Sequence, residues 1–201
     1  MSHLALFHSV YGLRPAVLAA AELLRDAGHQ VVTPDLYAGQ VAQSIEEGSV
    51  LSKRIGWETI LHRAREAADR LDADAVLAGF SMGAGVAGEL VAERPHTAKL
   101  LLLNGTGGTR PGLAVQAHLG ELDDIFPPSY VARWRDNMAR AGADVELFTY
   151  PGVGHFFTDD GVADYDRAAT ELTWQRSLRF LAGAAPAKPC NSAGAAGCQC
   201  E

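Results

Sequence analysis

Cysteine is almost absent from this chain of 201 residues, which has three cysteines, all within its last twelve residues. They are Cys190, Cys198 and Cys200, so the body of the chain has neither a disulfide nor a cysteine nucleophile. We interpret residues 183–201, which are rich in alanine and glycine, as a flexible tail. A metal site in this tail is the less favoured interpretation, because a metal ion normally needs four ligands held by a framework.

Positive charge and long apolar runs are also scarce. The chain has 17 lysines and arginines against 24 acidic residues, and the resulting net charge of −7 disfavours a nucleic-acid partner. No apolar run approaches the roughly 20 residues of a membrane span, and the first residues lack the pattern of a signal peptide. We therefore expect a cytoplasmic protein with neither a membrane nor a nucleic acid as its partner; its oligomeric state is not defined by the sequence.

What the chain does have is 48% hydrophobic residues, arranged as short apolar segments that alternate with helical patterns. This arrangement predicts one α/β domain over residues 1–182, with a mostly parallel sheet, helices on both faces and no large cap domain. The six predicted strands are Leu4–His8, Val31–Thr33, the run that begins at Ala75, Lys99–Asn104, Val115–Leu119 and Val145–Tyr150.

Helical spacing of apolar residues locates most of the helices. The main predicted helices are Pro15 to Gly28, Trp57 to Leu71, about Ser129 to Arg140 and about Val162 to Leu181. Trp57 is assigned to the core, and Asp159 or Asp160 is expected to cap the last helix. The core face of the last helix is assigned to Tyr165, Ala168 and Leu172. Residues 38–56 are predicted as an irregular excursion with short helical pieces, which either shapes a pocket or is a solvated connection.

The most informative stretch is Gly79-Phe80-Ser81-Met82-Gly83, which joins an apolar run to a small-residue helical segment. A strand, a sharp turn and a helix around Gly-x-Ser-x-Gly form the pattern of a nucleophile elbow, in which the serine is exposed on a strained turn. Glycine suits both flanking positions, because side chains there would collide across the turn. The Ser81 hydroxyl would lie at a helix N-terminus, which favours developing negative charge. An ordinary glycine-rich turn is the alternative.

A serine nucleophile needs a base and an acid, which in this architecture follow it in the order carboxylate, then histidine. Two loops after predicted strands supply them: Asp123 and Asp124 follow one strand, and His155 follows the next. Histidine can take the hydroxyl proton and return it to the leaving group, while a carboxylate orients the imidazole. The residues alone do not separate Asp123 from Asp124. His8 either lines the pocket or is a satisfied structural histidine, and His118 is assigned to packing inside a strand.

These motifs extend into longer recognisable stretches. They are Leu6–Leu13, Gly28–Gly39, Gly79–Gly83, Gly120–Asp124 and Tyr150–Phe157. Together they resemble the dienelactone hydrolase family of α/β-hydrolases, and the resemblance covers about residues 3–182. It implies a triad of Ser81, His155 and Asp123, because the family's Gly-x-x-Asp motif matches Asp123. It also implies that the backbone N–H groups of Val10 and Met82 hold the oxyanion.

The chain departs from the family pattern at three positions. Ser81 stands where the founding enzymes have a cysteine, and Ser9 stands where they have a glutamate that interacts with the resting thiol. Asp159 stands where they have an arginine that holds the substrate carboxylate. The last change reverses the local charge, which argues against a carboxylate-bearing dienelactone as the substrate.

The resemblance implies hydrolysis of a small-molecule ester or lactone through an acyl-enzyme, without a metal or an organic cofactor. Tyr11, Phe126 and Phe156 flank the catalytic loops and are candidates for an apolar pocket. Two alternatives stay open at this point. The first is a non-catalytic binding or regulatory module on the same fold, and the second is a thioesterase or acyl transferase that uses the same site.

Overall fold

The computed structural model describes residues 1–183, so the predictions for the tail and its cysteines lie outside the described residues. The described residues form six strands and six helices. In chain order these are β1 (His3–Phe7), α1 (Pro15–Asp26), β2 (Gln30–Val32), α2 (Ile45–Ile55), α3 (Trp57–Ala68), β3 (Val76–Phe80), α4 (Met82–Glu93), β4 (Lys99–Leu103), β5 (Ala114–Gly120), α5 (Pro128–Arg140), β6 (Asp144–Tyr150) and α6 (Arg167–Leu181).

One sheet contains all six strands, in the order β2-β1-β3-β4-β5-β6. Every pairing between neighbouring strands is parallel, which confirms the predicted fold class. Because the strands are parallel, their carboxyl ends share one edge of the sheet. The loops that follow β1, β3, β5 and β6 can therefore meet at that edge, where α/β proteins place their functional groups.

Helices cover both faces of the sheet, and the side chains of successive strand residues lie on opposite faces. Leu6 and Leu101 pack in a cluster with residues of α1 and α6, whereas Phe7 and Leu102 pack in a cluster with residues of α3, α4 and α5. Strand side chains alternate between the two faces, and both faces are covered, so β3 is apolar throughout and β1 and β4 are apolar after their first residues. Among residues 1–183, no helix is both long and apolar enough to cross a membrane.

The segment at residues 38–56, predicted to be irregular, contains the whole of α2. Ser44 caps this helix, since its Oγ accepts a hydrogen bond from the N–H of Glu47 at 3.2 Å. Ser-x-x-Glu is a capping signal that points to a helix start, but Gly48 lowers the helix propensity of the segment. A Cβ on Gly48 would lie 2.5 Å from the carbonyl oxygen of Val10. The glycine therefore allows α2 to pack directly on the loop after β1.

The last helix begins at Arg167, later than predicted, and its cap is a different aspartate. The cap is Asp166, whose Oδ1 accepts from the N–H of Ala169 at 2.8 Å. The assignment of the cap to Asp159 or Asp160 was wrong. The carboxylate of Asp159 instead closes a turn inside the preceding loop, and such local side-chain hydrogen bonds compete with helix formation.

The buried face of α6 also differs from the prediction. The residues assigned to that face, Tyr165, Ala168 and Leu172, are exposed, and the buried ones are Ala169, Thr173, Trp174, Ser177 and Leu181. The Oγ of Ser177 lies 3.3 Å from Nε2 of the buried His118 on β5. The spacing of apolar residues does not identify this face, because some of its residues are polar and contact polar groups of the sheet.

Candidate active site

A single residue, Ser81, connects β3 to α4, with φ of 49° and ψ of −109°. This left-handed backbone is strained for a residue that has a side chain. The N–H of Ser81 donates to the carbonyl of Leu103 at 2.8 Å, which anchors the turn to the neighbouring strand. Ser81 occupies the N-cap position of α4, but its hydroxyl makes no capping hydrogen bond and is available to another partner.

The two glycines of the motif are needed for different reasons. A Cβ on Gly79 would lie 2.1 Å from the carbonyl oxygen of Gly83, which is the collision across the turn that the sequence predicts. A Cβ on Gly83 would instead lie 2.4 Å from the carbonyl oxygen of Phe7 on β1. The second glycine therefore sets how closely α4 approaches the sheet.

We expect Gly83→Ala to lower the free energy of unfolding by about 2 kcal/mol or more, because the backbone of β1 cannot yield to a new methyl group. Gly85→Ala is a matched control on α4, since its Cβ would meet Cη2 of Trp57 at an ordinary 3.8 Å. We expect that variant to change stability by less than about 1 kcal/mol. Urea denaturation measures both values. Equal values for the two variants would contradict the close approach of α4 to β1.

Hydrogen bonds connect three of the predicted site residues, which come from the loops after β3, β5 and β6. Oγ of Ser81 lies 2.8 Å from Nε2 of His155, and Nδ1 of His155 lies 2.7 Å from Oδ2 of Asp123. The side chains of His155 and Asp123 are 5% and 0% exposed. A carboxylate can only accept hydrogen bonds, so Nδ1 carries the hydrogen. Nε2 is then free to accept the hydroxyl proton of Ser81.

The two adjacent aspartates, of which the family resemblance implies Asp123 and which the residues alone did not separate, have different surroundings in the structure. Asp124 is exposed, whereas Asp123 is buried and directed at His155. The second carboxylate oxygen of Asp123, Oδ1, accepts from the N–H groups of Ile125 and Phe126 at 2.9 and 3.0 Å. Three hydrogen bonds therefore fix the plane of the Asp123 carboxylate relative to the imidazole.

Aromatic rings flank the imidazole of His155. The ring of Phe156 packs edge-on against it with centroids 4.3 Å apart, and the ring of Phe126 lies 5.6 Å away on a tilted plane. Apolar rings lower the local dielectric constant and keep water from the pair of His155 and Asp123. The interaction between the carboxylate and an imidazolium is stronger in such surroundings than in water.

A further residue, Asn104 at the end of β4, supports the histidine loop and was not identified from the sequence. Its Nδ2 donates to the carbonyl oxygen of His155 at 2.7 Å, and the hydroxyl of Thr158 donates to its Oδ1. Asn104 is fully buried and has φ of 54°. Asparagine followed by glycine after a buried strand is the signal for such a left-handed residue, because asparagine tolerates this conformation better than most residues.

The backbone N–H groups of Val10 and Met82 belong to residues that line the same cavity as Ser81. Met82 is the first residue of α4, where an N–H has no acceptor inside the helix. Within residues 1–183 neither N–H donates to another protein group. Backbone donors without an acceptor, one of them at a helix N-terminus, can stabilise negative charge that develops on a substrate oxygen.

A cavity of about 390 Å³ opens beside Ser81. Two of the three aromatic residues predicted for a pocket, Phe126 and Phe156, line it. Tyr11 does not: it is 6% exposed and packs edge-on against Phe156. Trp57 was predicted in the core, but its side chain lines this cavity and the residue is 39% exposed. The helical spacing of Trp57 does not distinguish a core residue from a residue that lines a cavity, because both lie on the inward face of the helix.

The two other buried histidines are structural. The Nδ1 of His8 lies 2.8 Å from the carbonyl oxygen of Ser9, and its Nε2 accepts from the N–H of Leu36 at 3.0 Å. His118 is hydrogen bonded to Tyr150 and Gln116. Burial lowers the pKa of His8, and burial lowers the pKa of His118 to about 3, because the charged imidazole loses its hydration. Both are neutral packing residues near pH 7.

The two remaining departures from the family pattern have structural roles in this chain. Asp159 lies 3.6 Å from the guanidinium of Arg14, which also donates to the carbonyl of Gly161 at 3.2 Å and lies over the ring of Tyr11. These contacts join the loop after β1 to the loop after β6. Ser9 is buried and its Oγ accepts from the N–H of Tyr11 at 3.3 Å, inside the same turn.

A comparison with protein-family models gives one match of nearly full length, to the dienelactone hydrolase family over residues 4–185. The chain belongs to the dienelactone hydrolase family. The resemblance stated from the sequence is thereby confirmed, and this family membership supports a hydrolase.

A curated relative matches a shorter stretch of this dienelactone hydrolase family member. It is a candidate carboxymethylenebutenolidase of Escherichia coli O157:H7, which is 36% identical over 62 residues. The match covers 31% of this chain and 23% of that protein, so the chain matches about a quarter of its relative's length. A match of this extent does not transfer the relative's substrate.

Solved structures confirm the α/β-hydrolase fold of this family member. A dienelactone hydrolase-like promiscuous phosphotriesterase from metagenomic libraries aligns with a TM-score of 0.77 at 20% identity, covering 91% of this chain and 86% of that one. Est1E from Butyrivibrio proteoclasticus, with ferulic acid bound, aligns with a TM-score of 0.64 at 17% identity, covering 91% and 89%. At these identities the similarity shows the fold alone.

Proposed function

We propose that this protein is a serine hydrolase that cleaves a carboxylic ester or lactone through an acyl-enzyme. One observation carries the proposal: the hydroxyl of Ser81 is hydrogen bonded to His155, which is hydrogen bonded to the buried carboxylate of Asp123. A serine hydroxyl is a weak nucleophile at neutral pH, and a histidine within hydrogen-bond reach, oriented by a third group, is the arrangement that activates it.

In the first half-reaction, Oγ of Ser81 attacks the carbonyl carbon while its proton moves to Nε2 of His155. The carbonyl oxygen becomes an oxyanion, held by the N–H groups of Val10 and Met82. The bond to the leaving alcohol then breaks, and the alcohol departs with the proton from His155. Removing one oxyanion donor in such a site typically costs on the order of 10²–10³ in rate, so these two groups are expected to matter.

In the second half-reaction, water takes the place of the leaving alcohol. His155 removes a proton from the water, the resulting hydroxide attacks the acyl carbon, and the acid is released as Ser81 recovers its proton. Asp123 keeps its charge throughout and stabilises the imidazolium in both halves. For a lactone, the alcohol formed in the first half-reaction stays attached to the acyl group through the carbon chain, so the product of the second half-reaction is a hydroxy acid.

Family membership and the names of similar proteins support the same reaction class. The family is named after a lactone hydrolase, and the structural neighbours include the esterase PE8 and Est1E with ferulic acid bound. These names belong to those proteins. They agree with an ester or lactone as the substrate here, and the hydrogen bonds among Ser81, His155 and Asp123 support the proposal independently of them.

The experiment that tests this proposal is labelling with an uncharged fluorophosphonate, followed by mass spectrometry of the labelled peptide. We expect modification at Ser81 in the wild type and a labelling rate about 10²–10⁴-fold lower in His155→Ala, since the base is lost. His62→Ala is the control, because His62 is exposed on α3. The proposal fails if folded wild-type protein is not labelled at Ser81, or if His155→Ala is labelled as fast as the wild type.

A further inference from the structure

The cavity beside Ser81 has walls that are mostly apolar. Its larger side chains are Ile45 from α2, Trp57 from α3, Met82 from α4, Ile125 and Phe126 from the loop after β5, and Phe156. The polar side chains that line it, apart from Ser81, are the hydroxyls of Ser49 and Thr106. In the part of the chain that the structure describes, no aspartate, glutamate, lysine or arginine lines this cavity.

A second observation against a charged substrate comes from the position at which the founding enzymes have an arginine that holds the substrate carboxylate. Asp159 replaces the arginine there, and its charge is paired with Arg14. The guanidinium of Arg14 is engaged by Asp159, by the carbonyl of Gly161 and by the ring of Tyr11. Neither Arg14 nor Asp159 is among the cavity walls. The arginine that this chain does have near the site therefore serves loop packing and not the cavity.

A carboxylate on the substrate would enter this cavity without a cationic partner. A charge buried without a partner is strongly disfavoured, whereas aromatic and aliphatic walls gain by covering apolar surface. The two hydroxyls of Ser49 and Thr106 can satisfy a neutral polar group but cannot neutralise a full charge. These walls therefore favour an uncharged substrate group over a carboxylate.

The cavity is large enough to hold an aromatic ring together with the ester group. Its volume of about 390 Å³ is at the lower end for small-molecule sites. The indole of Trp57 lies beside Gly85 of α4, where a Cβ would be 3.8 Å from Cη2. The indole, together with the ring of Phe126, supplies flat surfaces against which a planar substrate group can pack.

From these observations we infer that the substrate is an uncharged ester with an apolar group, such as an aromatic ring, and that esters bearing a carboxylate are rejected. The inference rests on the proposed serine-hydrolase activity and adds the class of substrate. It separates this chain from the dienelactone substrates that its family is named after, because those carry a carboxylate.

Three aryl acetates test the inference, since they share the reacting acetyl group. They are phenyl acetate, 4-acetoxybenzamide and 4-acetoxybenzoate, whose ring substituents are hydrogen, a neutral amide and a carboxylate. After correction for each ester's own rate of hydrolysis in buffer, we expect kcat/KM to be at least about 10²-fold lower for the carboxylate than for phenyl acetate. The amide should fall between them, closer to phenyl acetate.

Ser49→Lys adds the missing cation, because Ser49 lies on the wall formed by α2. We expect this variant to reduce the discrimination against 4-acetoxybenzoate about tenfold, as the new ammonium pairs with the carboxylate. Ser49→Met is the matched control: it has a side chain of similar length without the charge, and we expect it to keep the wild-type preference between the amide and the carboxylate.

Each outcome of these assays has a defined meaning. Equal or faster turnover of 4-acetoxybenzoate by the wild type overturns the inference and leaves the hydrolase in place. Labelling of Ser81 by a fluorophosphonate without turnover of phenyl acetate also overturns the inference, and it also leaves the hydrolase in place. Absence of both labelling and turnover overturns the proposed function, and the substrate class with it. A preference for the neutral esters that Ser49→Lys reduces and Ser49→Met does not is the result that supports the inference.

Discussion

Ser81→Ala is expected to lower kcat for ester hydrolysis by on the order of 10⁴-fold or more, with little change in stability. Without the hydroxyl there is no acyl-enzyme, and what remains is the smaller rate enhancement from substrate binding and the oxyanion donors. Alanine keeps a Cβ at a position with φ of 49°, so it inherits the backbone strain of the serine. Steady-state kinetics on phenyl acetate and urea denaturation measure the two effects.

The control for this variant is Ser129→Ala, which removes an exposed hydroxyl from α5 and is expected to keep the wild-type kcat. Ser81→Gly provides a second check, since glycine accepts the left-handed backbone without strain. We expect it to lose activity as Ser81→Ala does but to raise the free energy of unfolding by about 1 kcal/mol. Substantial activity in Ser81→Ala would show that another group performs the reaction.

The sheet and the elbow were predictable from sequence because their signals are local. Short apolar segments that alternate with helical patterns indicate a parallel sheet, and such a sheet places the ends of its strands on one edge. This is why the sequence assigns Ser81 and His155, which are 74 residues apart, to one site. The catalytic roles of these residues stay predictions until the substitutions are measured.

The features that the sequence did not reveal depend on close tertiary approach. Gly48 makes α2 a poor helix by propensity, but its missing side chain allows the helix to lie on the carbonyl of Val10. The inner face of α6 is partly polar because Ser177 meets His118 across the interface. Trp57 has the spacing of a core residue and lines the cavity instead. In each case the residue contacts a part of the chain that is distant in sequence, so local sequence patterns do not indicate the contact.

Asp123→Asn is expected to lower kcat by about 10³–10⁴-fold while the protein stays folded. The reason is the tautomer of His155. An asparagine carbonyl oxygen can keep the two backbone hydrogen bonds from Ile125 and Phe126 only if its NH₂ group faces Nδ1 of His155. Nδ1 must then accept a hydrogen bond, and the hydrogen moves to Nε2. That nitrogen can no longer take the proton of Ser81. Steady-state kinetics at neutral pH measure the loss of kcat, and urea denaturation tests whether the protein stays folded.

Asp124→Asn makes the adjacent change at an exposed carboxylate and is expected to keep kcat within about twofold of the wild type. The pair distinguishes a role for Asp123 from a general effect of removing one negative charge near the site, because both variants change the net charge equally. A large loss in Asp124→Asn with activity retained in Asp123→Asn would assign the acid to the other residue. Equal losses in both would indicate long-range electrostatics, and the hydrogen bond to His155 would then not be the source of the effect.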